Sequence, residues 1–353
     1  MASGGSSGNK KPKGLKRALS GRQVQMLVIG GVIGVELFYG AALSVKIAGP
    51  AVLIGFILCG AIAGIVMRAL GEMTVERPVS GSFRDYAETH LGRGVGFVTG
   101  WVWWFFWTAT VMSELAAIGK LIQFWFLSTP NTMNKATAST VRMHIGSIFI
   151  MLCAFPWTYL TAHSGSPYVL LFARVGIPLA ATVVNIIIIT SGLSSCNTGL
   201  YGGSRMLYSM TVESKPRSPL ARVNRNQVPH GAVWLTALMI SIGTLITYLA
   251  PNYVYIWMTS ASAFASLWTW GVILVSELVF CARAKRDGVT VGMPMPWWPT
   301  LPVVGLGLLV VAFIAIVTSP YTRVSVWSGL IFLFLLMIDY AVRGRKTYRM
   351  TQS

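Results

Sequence analysis

The sequence has 353 residues, of which 54% are hydrophobic and only 11% are charged, against about 25% charged residues in an ordinary globular protein. Its 28 lysines and arginines outnumber 10 acidic residues, which gives a formal net charge of +18. This composition excludes a set of soluble domains, and the charge is too sparse for a nucleic-acid-binding protein. It is typical of a polytopic membrane protein, whose few charges concentrate as lysine and arginine in cytoplasmic loops.

Most of the basic residues fall in five groups along the chain. The first lies in the leader 1–22, which is rich in glycine, serine and lysine and is therefore predicted to be disordered. The other groups lie at residues 68–93, 205–225, 283–286 and 343–349. All five are predicted to face the cytoplasm; a leader that binds nucleic acid or heparin is the minor alternative.

Nine apolar segments approach or exceed the ~20 residues that a membrane helix needs. They lie at about 24–48, 51–74, 95–127, 141–162, 168–193, 230–250, 253–281, 301–318 and 323–342. Backbone groups in lipid must be satisfied within the segment, so each is predicted to be a helix. The expected fold class is an all-α polytopic membrane protein with about nine transmembrane helices.

The same segments predict the organisation of the chain, from a cytoplasmic leader to a cytoplasmic tail. The divisions are 1–22 for the leader, 23–127 for the first three helices, 128–140 for a polar linker, 141–345 for six further helices and 346–353 for the tail.

The basic groups do not agree with nine crossings, because an odd number places the two basic termini on opposite sides. One solution is that the linker 128–140 crosses: thirteen extended residues reach ~43 Å, more than a ~30 Å hydrocarbon core. The other is that the fourth segment is not a full span, since it contains Arg142 and Pro156. In either case the sequence indicates that an odd number of helices is absent here.

The first span contains three glycines within five residues, Gly30, Gly31 and Gly34. Glycine is a poor helix former, so this segment is predicted to unwind. Transporters use such interrupted helices to bind substrates through freed backbone groups. Close helix packing through Gly30 and Gly34 is an equally open interpretation. Glu36 follows directly, and it would repel an anionic substrate group.

Other polar residues within the spans are candidates for function. Glu114 in the third span could relay protons or bind an amine, or else pair with Lys120. Asn185 and the run 191–197, which includes Ser194 and Ser195, could line a cavity or hydrogen-bond neighbouring helices.

Three further features are interpreted as structural. Glu277 is predicted to form an ion pair with Arg283. The pairs Gly60/Gly64 and Gly96/Gly100 are predicted to be helix-packing faces. The tryptophan-rich stretch 101–107 is predicted to form an interfacial belt, with an aromatic cation cage as the alternative.

The cysteines and histidines show no metal-binding or catalytic spacing, and no GxSxG motif occurs. The four cysteines, which are predicted to be packing residues, are Cys59, Cys153, Cys196 and Cys281. We therefore expect no catalytic residue, no metal and no cofactor.

Several stretches together resemble a known family. They are GGVIGVELFYG, MRALGEMTVERPVSGSFRDYAE, SELAA, SPYVLLF and SRMLYSM. The chain resembles bacterial amino-acid permeases of the amino acid–polyamine–organocation superfamily over roughly residues 22–126 and 141–345.

The resemblance implies a LeuT-like fold of two inverted five-helix repeats plus two helices, in the plasma (cell inner) membrane. It implies an amino-acid substrate held at unwound parts of family helices one and six, and the proton as coupling ion. Family helices four to six have no counterpart here, so the fold would be incomplete. The implied substrate-binding residues are Gly31, Ile33, Gly34, Val35 and Glu36. The possible proton or polar-cavity residues are Glu114, Asn185, Ser194 and Ser195.

The chain departs from the family pattern at the implied site. Where the family usually reads IGTGLF, this chain has Val35 for a small hydroxyl residue and Glu36 for a glycine. Two hypotheses follow: a proton-coupled amino-acid permease, or an inactive remnant or membrane interaction subunit that associates with a full-length permease. The sequence does not determine which amino acid is bound or the oligomeric state.

Overall fold

The protein is described by a computed structural model. The structure describes residues 34–35, 44–45, 48–79, 81–126, 178–214, 218–225, 227–249, 251–318 and 322–344. Within these ranges the regular structure is helical. The α-helices are α1 (Val52–Glu76), α2 (Phe83–Leu91), α3 (Arg93–Phe126), α4 (Pro178–Ser214), α5 (His230–Leu249), α6 (Pro251–Arg286), α7 (Thr300–Thr318) and α8 (Arg323–Asp339).

Seven of these helices correspond to predicted spans, which confirms an all-α polytopic membrane protein. In the described part of the chain, α1, α3, α4, α6 and α7 are long and apolar enough to cross a membrane, while α5 and α8 contain shorter apolar stretches. The first and fourth predicted spans lie mainly outside the described residues, as do the leader 1–22, the linker 128–140 and the tail 346–353. The total of nine helices, the division into segments and the LeuT-like arrangement stay predictions.

The fifth span was predicted to end at residue 193, and this boundary is wrong, because α4 continues to Ser214. Small polar residues beyond 193 hydrogen-bond within the helix, as in the Thr198 Oγ1 bond to the Ser194 carbonyl at 3.0 Å. The glycines there leave room for a large side chain of the neighbouring helix, since a Cβ at Gly202 would lie 2.8 Å from Trp107 Nε1. These residues therefore lie on a helix-packing face, although their composition is typical of a loop.

Helix α2, which the sequence analysis did not predict, connects α1 to α3. Its Arg84 is buried, forms ion pairs with Asp85 at 3.4 Å and Glu88 at 3.1 Å, and donates to Ser209 Oγ on α4 at 3.4 Å. Buried guanidinium groups need such partners. Arg84 thus fixes α2 against the membrane helices.

The carboxyl end of α2 is held by Arg283 of α6. Its guanidinium donates to the carbonyls of Thr89 at 3.4 Å and His90 at 3.3 Å, which lack helical partners at that end.

Burial, and then the charges of Arg283 and Arg77, lower the pKa of His90 below its usual value. The imidazole is therefore kept neutral beside these arginines.

Helix α3 is the central element, because it packs against α2, α4, α5, α6 and α8. Its tryptophans contribute directly: Trp103 stacks on Phe106 with ring centroids 4.8 Å apart and meets Phe83 of α2 edge-on at 4.8 Å. Trp104 Nε1 donates to Thr236 Oγ1 of α5 at 3.1 Å. This stretch contributes to helix packing in the structure, while the interfacial belt and the cation cage stay predictions.

The two predicted glycine faces behave differently. A Cβ at Gly96 would lie 2.7 Å from Glu88 Cβ, and one at Gly100 would lie 2.5 Å from Met210 Sδ, so this pair is a packing face. A Cβ at Gly64 would meet nothing within 4 Å among the described residues. The prediction is therefore confirmed for Gly96 and Gly100, and no described neighbour supports it for Gly64.

We expect Gly96→Ala to lower the melting temperature of the purified protein, whereas Gly64→Ala leaves it unchanged or raises it. At both positions alanine favours the helix by about 1 kcal/mol. At Gly96 the new methyl group also meets Glu88, including its Cα and backbone nitrogen at 3.1 Å, and such overpacking costs about 1–3 kcal/mol. Thermal unfolding in detergent, followed by size-exclusion chromatography, measures the difference. Equal shifts in the two variants would contradict this packing.

Candidate functional site

The chain forms a turn at Gly34 and Val35, inside the first predicted span. Gly34 has φ +41°, in the left-handed region that side chains disfavour. Both residues are buried, and Val35 is 0% exposed. A Cβ at Gly34 would also overlap Glu114 Oε1. Two independent constraints therefore require glycine at this position.

The carboxylate of Glu114 reaches this turn from α3. The backbone N–H of Val35 donates to Glu114 Oε2 at 2.7 Å, and the Glu114 side chain is 2% exposed. Hydrogen bonds to ionised acceptors are short and strong. The carboxylate thus satisfies an N–H group at an interruption where the bilayer itself offers no acceptor.

Helix α4 closes the third side of this site through Gly192. A Cβ there would lie 2.9 Å from both Val35 Cγ1 and Ile118 Cδ1. Asn185 and Ser195 are seven residues before and three after Gly192, so they share its helix face. Both are buried, at 0% and 1% exposure.

The serines of α4 differ in placement. Ser195 Oγ is buried and has no hydrogen-bond partner in the described part of the chain. Ser194 is only half-buried, and its carbonyl accepts the Thr198 hydroxyl. Ser195 is therefore the better placed of the two for a ligand.

The predicted site residues are thus partly assembled. Gly34, Val35 and Glu114 are in contact, and Asn185 and Ser195 lie on the helix face that packs against them. The predicted residues that fall outside the described residues are Gly31, Ile33 and Glu36.

The contact between Val35 and Glu114 was missed by sequence reasoning. The two residues are 79 positions apart, and nothing in their spacing pairs them. Two features of the sequence could have suggested the contact: the glycine-rich segment in the first span and the single carboxylate in the third. Chemically, the arrangement presents one N–H donor to one carboxylate, and protonation of that carboxylate would release the donor to another anion.

Glu277 does not form the predicted ion pair with Arg283. Its Oε1 is instead 3.3 Å from the Cys281 thiol, which also contacts Glu72 Oε1 at 3.2 Å. Six residues of α-helix rotate a side chain by about 120° to a different face, and Arg283 reaches α2 instead. Glu72, Glu277 and Cys281, which we call the acidic thiol cluster, are the one described group with potential metal ligands so close together.

We expect Gly34→Ala and Glu114→Ala to be coupled in a double-mutant cycle. Gly34→Ala alone introduces backbone strain and overlap with the carboxylate, whereas in the Glu114→Ala background only the strain remains. The predicted interaction energy is about 1–3 kcal/mol, measured from denaturant- or heat-induced unfolding. Gly34→Ala combined with Glu76→Ala, an exposed carboxylate on α1, should be additive. Additivity in both cycles would show that Gly34 and Glu114 do not interact.

The chain matches the family model described as amino acid permease over residues 23–141 and 127–351. The two matched segments overlap at residues 127–141, which include the predicted linker.

The relatives include the uncharacterized amino acid permease YtnA of Bacillus subtilis (strain 168), 27% identical over 95% of this chain and 96% of that protein. The probable threonine/serine transporter YbxG of the same organism is 25% identical over 94% and 96% of the two chains. The aromatic amino acid transport protein AroP of Salmonella typhi is 26% identical over 94% and 96%.

The comparison with YtnA also shows the shortening. That alignment has 447 positions against 353 residues in this chain, so at least 94 positions have no residue here. Because nearly the whole length of each protein is matched, most of the missing positions are internal. Which family helices are absent stays a prediction. The chain belongs to the amino acid permease family, whose members are multi-pass membrane transporters, and it is a shortened member.

Proposed function

We propose that this chain transports an amino acid across the cell inner membrane, with protonation of Glu114 coupled to binding of the substrate carboxylate. The observation that carries the proposal is the buried 2.7 Å hydrogen bond from Val35 N–H to Glu114 Oε2. Relatives named as amino-acid transporters support the general activity. The basic leader and tail support cytoplasmic termini.

The coupling follows from competition between two carboxylates for one donor. While Glu114 is ionised it occupies the Val35 N–H, and a second carboxylate beside it would be strongly repelled. A proton on Glu114 removes that charge and frees the N–H for the substrate. Release of the proton on the other side restores the bond to Glu114 and displaces the substrate. One proton therefore accompanies each amino acid.

The surrounding residues suit the polar end of an amino acid. Ser195 Oγ is available as a donor or acceptor, and Asn185 is buried on the same face. Gly192 allows α4 to approach Val35 closely. Glu36, which follows Val35 in the sequence, would add a negative charge and weaken substrate binding in this chain.

The proposal predicts uptake into proteoliposomes that is driven by an inwardly directed proton gradient. Radiolabelled threonine, serine, phenylalanine and tyrosine are suitable probes, because relatives are named for threonine/serine and aromatic substrates. Glu114→Gln should abolish the dependence on the gradient, since the amide cannot be ionised. Glu36→Gly should increase uptake, and Glu76→Gln serves as a control with an exposed carboxylate.

Uptake equal to that of empty liposomes for both the native chain and Glu36→Gly would refute transport. Gradient-driven uptake that persists in Glu114→Gln would leave transport intact and refute the role of Glu114.

The missing positions favour a second candidate, in which the chain is an inactive remnant or a subunit that associates with a full-length permease. At least 94 alignment positions lack a residue, and by resemblance they include the second unwound helix of the substrate site. We expect a subunit to co-purify with a full-length permease expressed in the same cells and to be degraded faster without it. If the chain expressed alone is stable and monodisperse and also shows uptake, this candidate is contradicted.

A further inference from the structure

The acidic thiol cluster lies between α1 and α6, away from the residues of the proposed transport site. Glu72 is 1% exposed, Glu277 is 0% exposed and Cys281 is 9% exposed. One potential ligand atom from each residue lies within 4.8 Å of the others. Two carboxyl groups and a thiol are thus enclosed together inside a membrane protein.

The buried carboxyl groups of the cluster are incompletely satisfied. Glu72 Oε2 and Glu277 Oε2 are buried and have no hydrogen-bond partner among the described residues. No described lysine, arginine or histidine lies within ion-pair distance of either group. Two neighbouring carboxylates without a cationic partner are costly in a low dielectric, and a bound cation would offset that cost.

We propose that Glu72, Glu277 and Cys281 bind a divalent cation of the zinc type. The Cys281 sulfur lies 3.2 Å from Glu72 Oε1 and 3.3 Å from Glu277 Oε1. Two tetrahedral ligands with Zn–S of about 2.3 Å and Zn–O of about 2.0 Å are separated by about 3.5 Å. Both sulfur–oxygen distances are therefore within a few tenths of an ångström of those in a tetrahedral zinc site.

The ligand types identify the class of metal. A thiolate favours zinc and similar ions over magnesium and calcium, which prefer oxygen ligands alone. Three protein ligands leave a fourth position for water, as in open zinc sites. With the thiol deprotonated, the three ligands carry one more negative charge than the ion neutralises.

A cavity is lined by residues adjacent in sequence to the cluster. A cavity of about 300 Å³ is lined by Met73 and Phe280, which are sequence neighbours of Glu72 and Cys281, and by Glu76 and His90. Its lining also includes Arg77, so the charges of Glu76 and Arg77 offset each other at this cavity.

The test uses the purified full-length chain in detergent, stripped of metal with a chelator and titrated with Co²⁺. Cobalt replaces zinc and produces a thiolate-to-cobalt charge-transfer band in the near ultraviolet. We expect the band to saturate at one cobalt per chain and to disappear when Zn²⁺ is added.

Matched variants assign the ligands. Cys281→Ser should abolish the band, whereas a variant that keeps Cys281 as its sole cysteine (Cys59→Ser, Cys153→Ser, Cys196→Ser) should retain it. Glu72→Gln and Glu277→Gln should weaken cobalt binding by roughly 100-fold or more, because loss of a direct ligand exceeds the 10–100-fold effect of outer-shell changes. Glu76→Gln should change it much less.

Absence of the band in the native chain, or its persistence in Cys281→Ser, would overturn the proposal. If Zn²⁺ leaves the melting temperature unchanged while Glu277→Gln raises it, the two carboxyl groups share a proton instead, and the metal site is wrong. The cobalt titration of the native chain gives a result even if none of the variants folds. Its result is also independent of uptake, so the metal site and the transport function fail separately.

Discussion

The need to satisfy polar groups away from water is the constraint on which this structure depends. At the turn of Gly34 and Val35, the backbone N–H of Val35 is buried, and lipid would offer it no acceptor. Glu114 of α3 supplies the acceptor. This bond requires α3 to lie against the turn, and α3 in turn packs against α2, α4, α5, α6 and α8. The turn at Gly34 and Val35 thus places a buried carboxylate beside it, and with it the helix that carries that carboxylate.

The buried charges of the described chain are satisfied in contrasting ways. Glu114 accepts a backbone N–H, and Arg84 is paired with two carboxylates at the edge of the helices. The acidic thiol cluster has only the Cys281 thiol between its two carboxyl groups. A thiol is a weak donor, so it cannot offset the desolvation of two anions. The contrast singles out this cluster as the place where a cation or protons are required.

Helix positions were readily predicted because lipid imposes long apolar segments, and α1 and α6 end within a few residues of their predicted boundaries. Contacts between helices were not. The polar composition after residue 193 predicted a helix end, but small residues there form the face that accepts Trp107. Glu277 was paired with Arg283 from proximity in sequence, although helical rotation separates them. Each failure concerns which face of a helix a side chain occupies, and span composition does not specify that.

The shortening of the chain has different consequences for the two parts of the inherited site. Val35 and Glu114 precede the predicted linker 128–140 and Gly192 follows it, and Val35 contacts both Glu114 and the Gly192 face of α4 because α3 and α4 pack directly on each other. The carboxylate and the N–H it controls are therefore assembled without the absent segment. Whatever that segment contributed to enclosing a substrate cannot be replaced by this contact. Under the proposed mechanism, proton binding at Glu114 therefore requires less of the family architecture than substrate selection does, and the two can be lost separately.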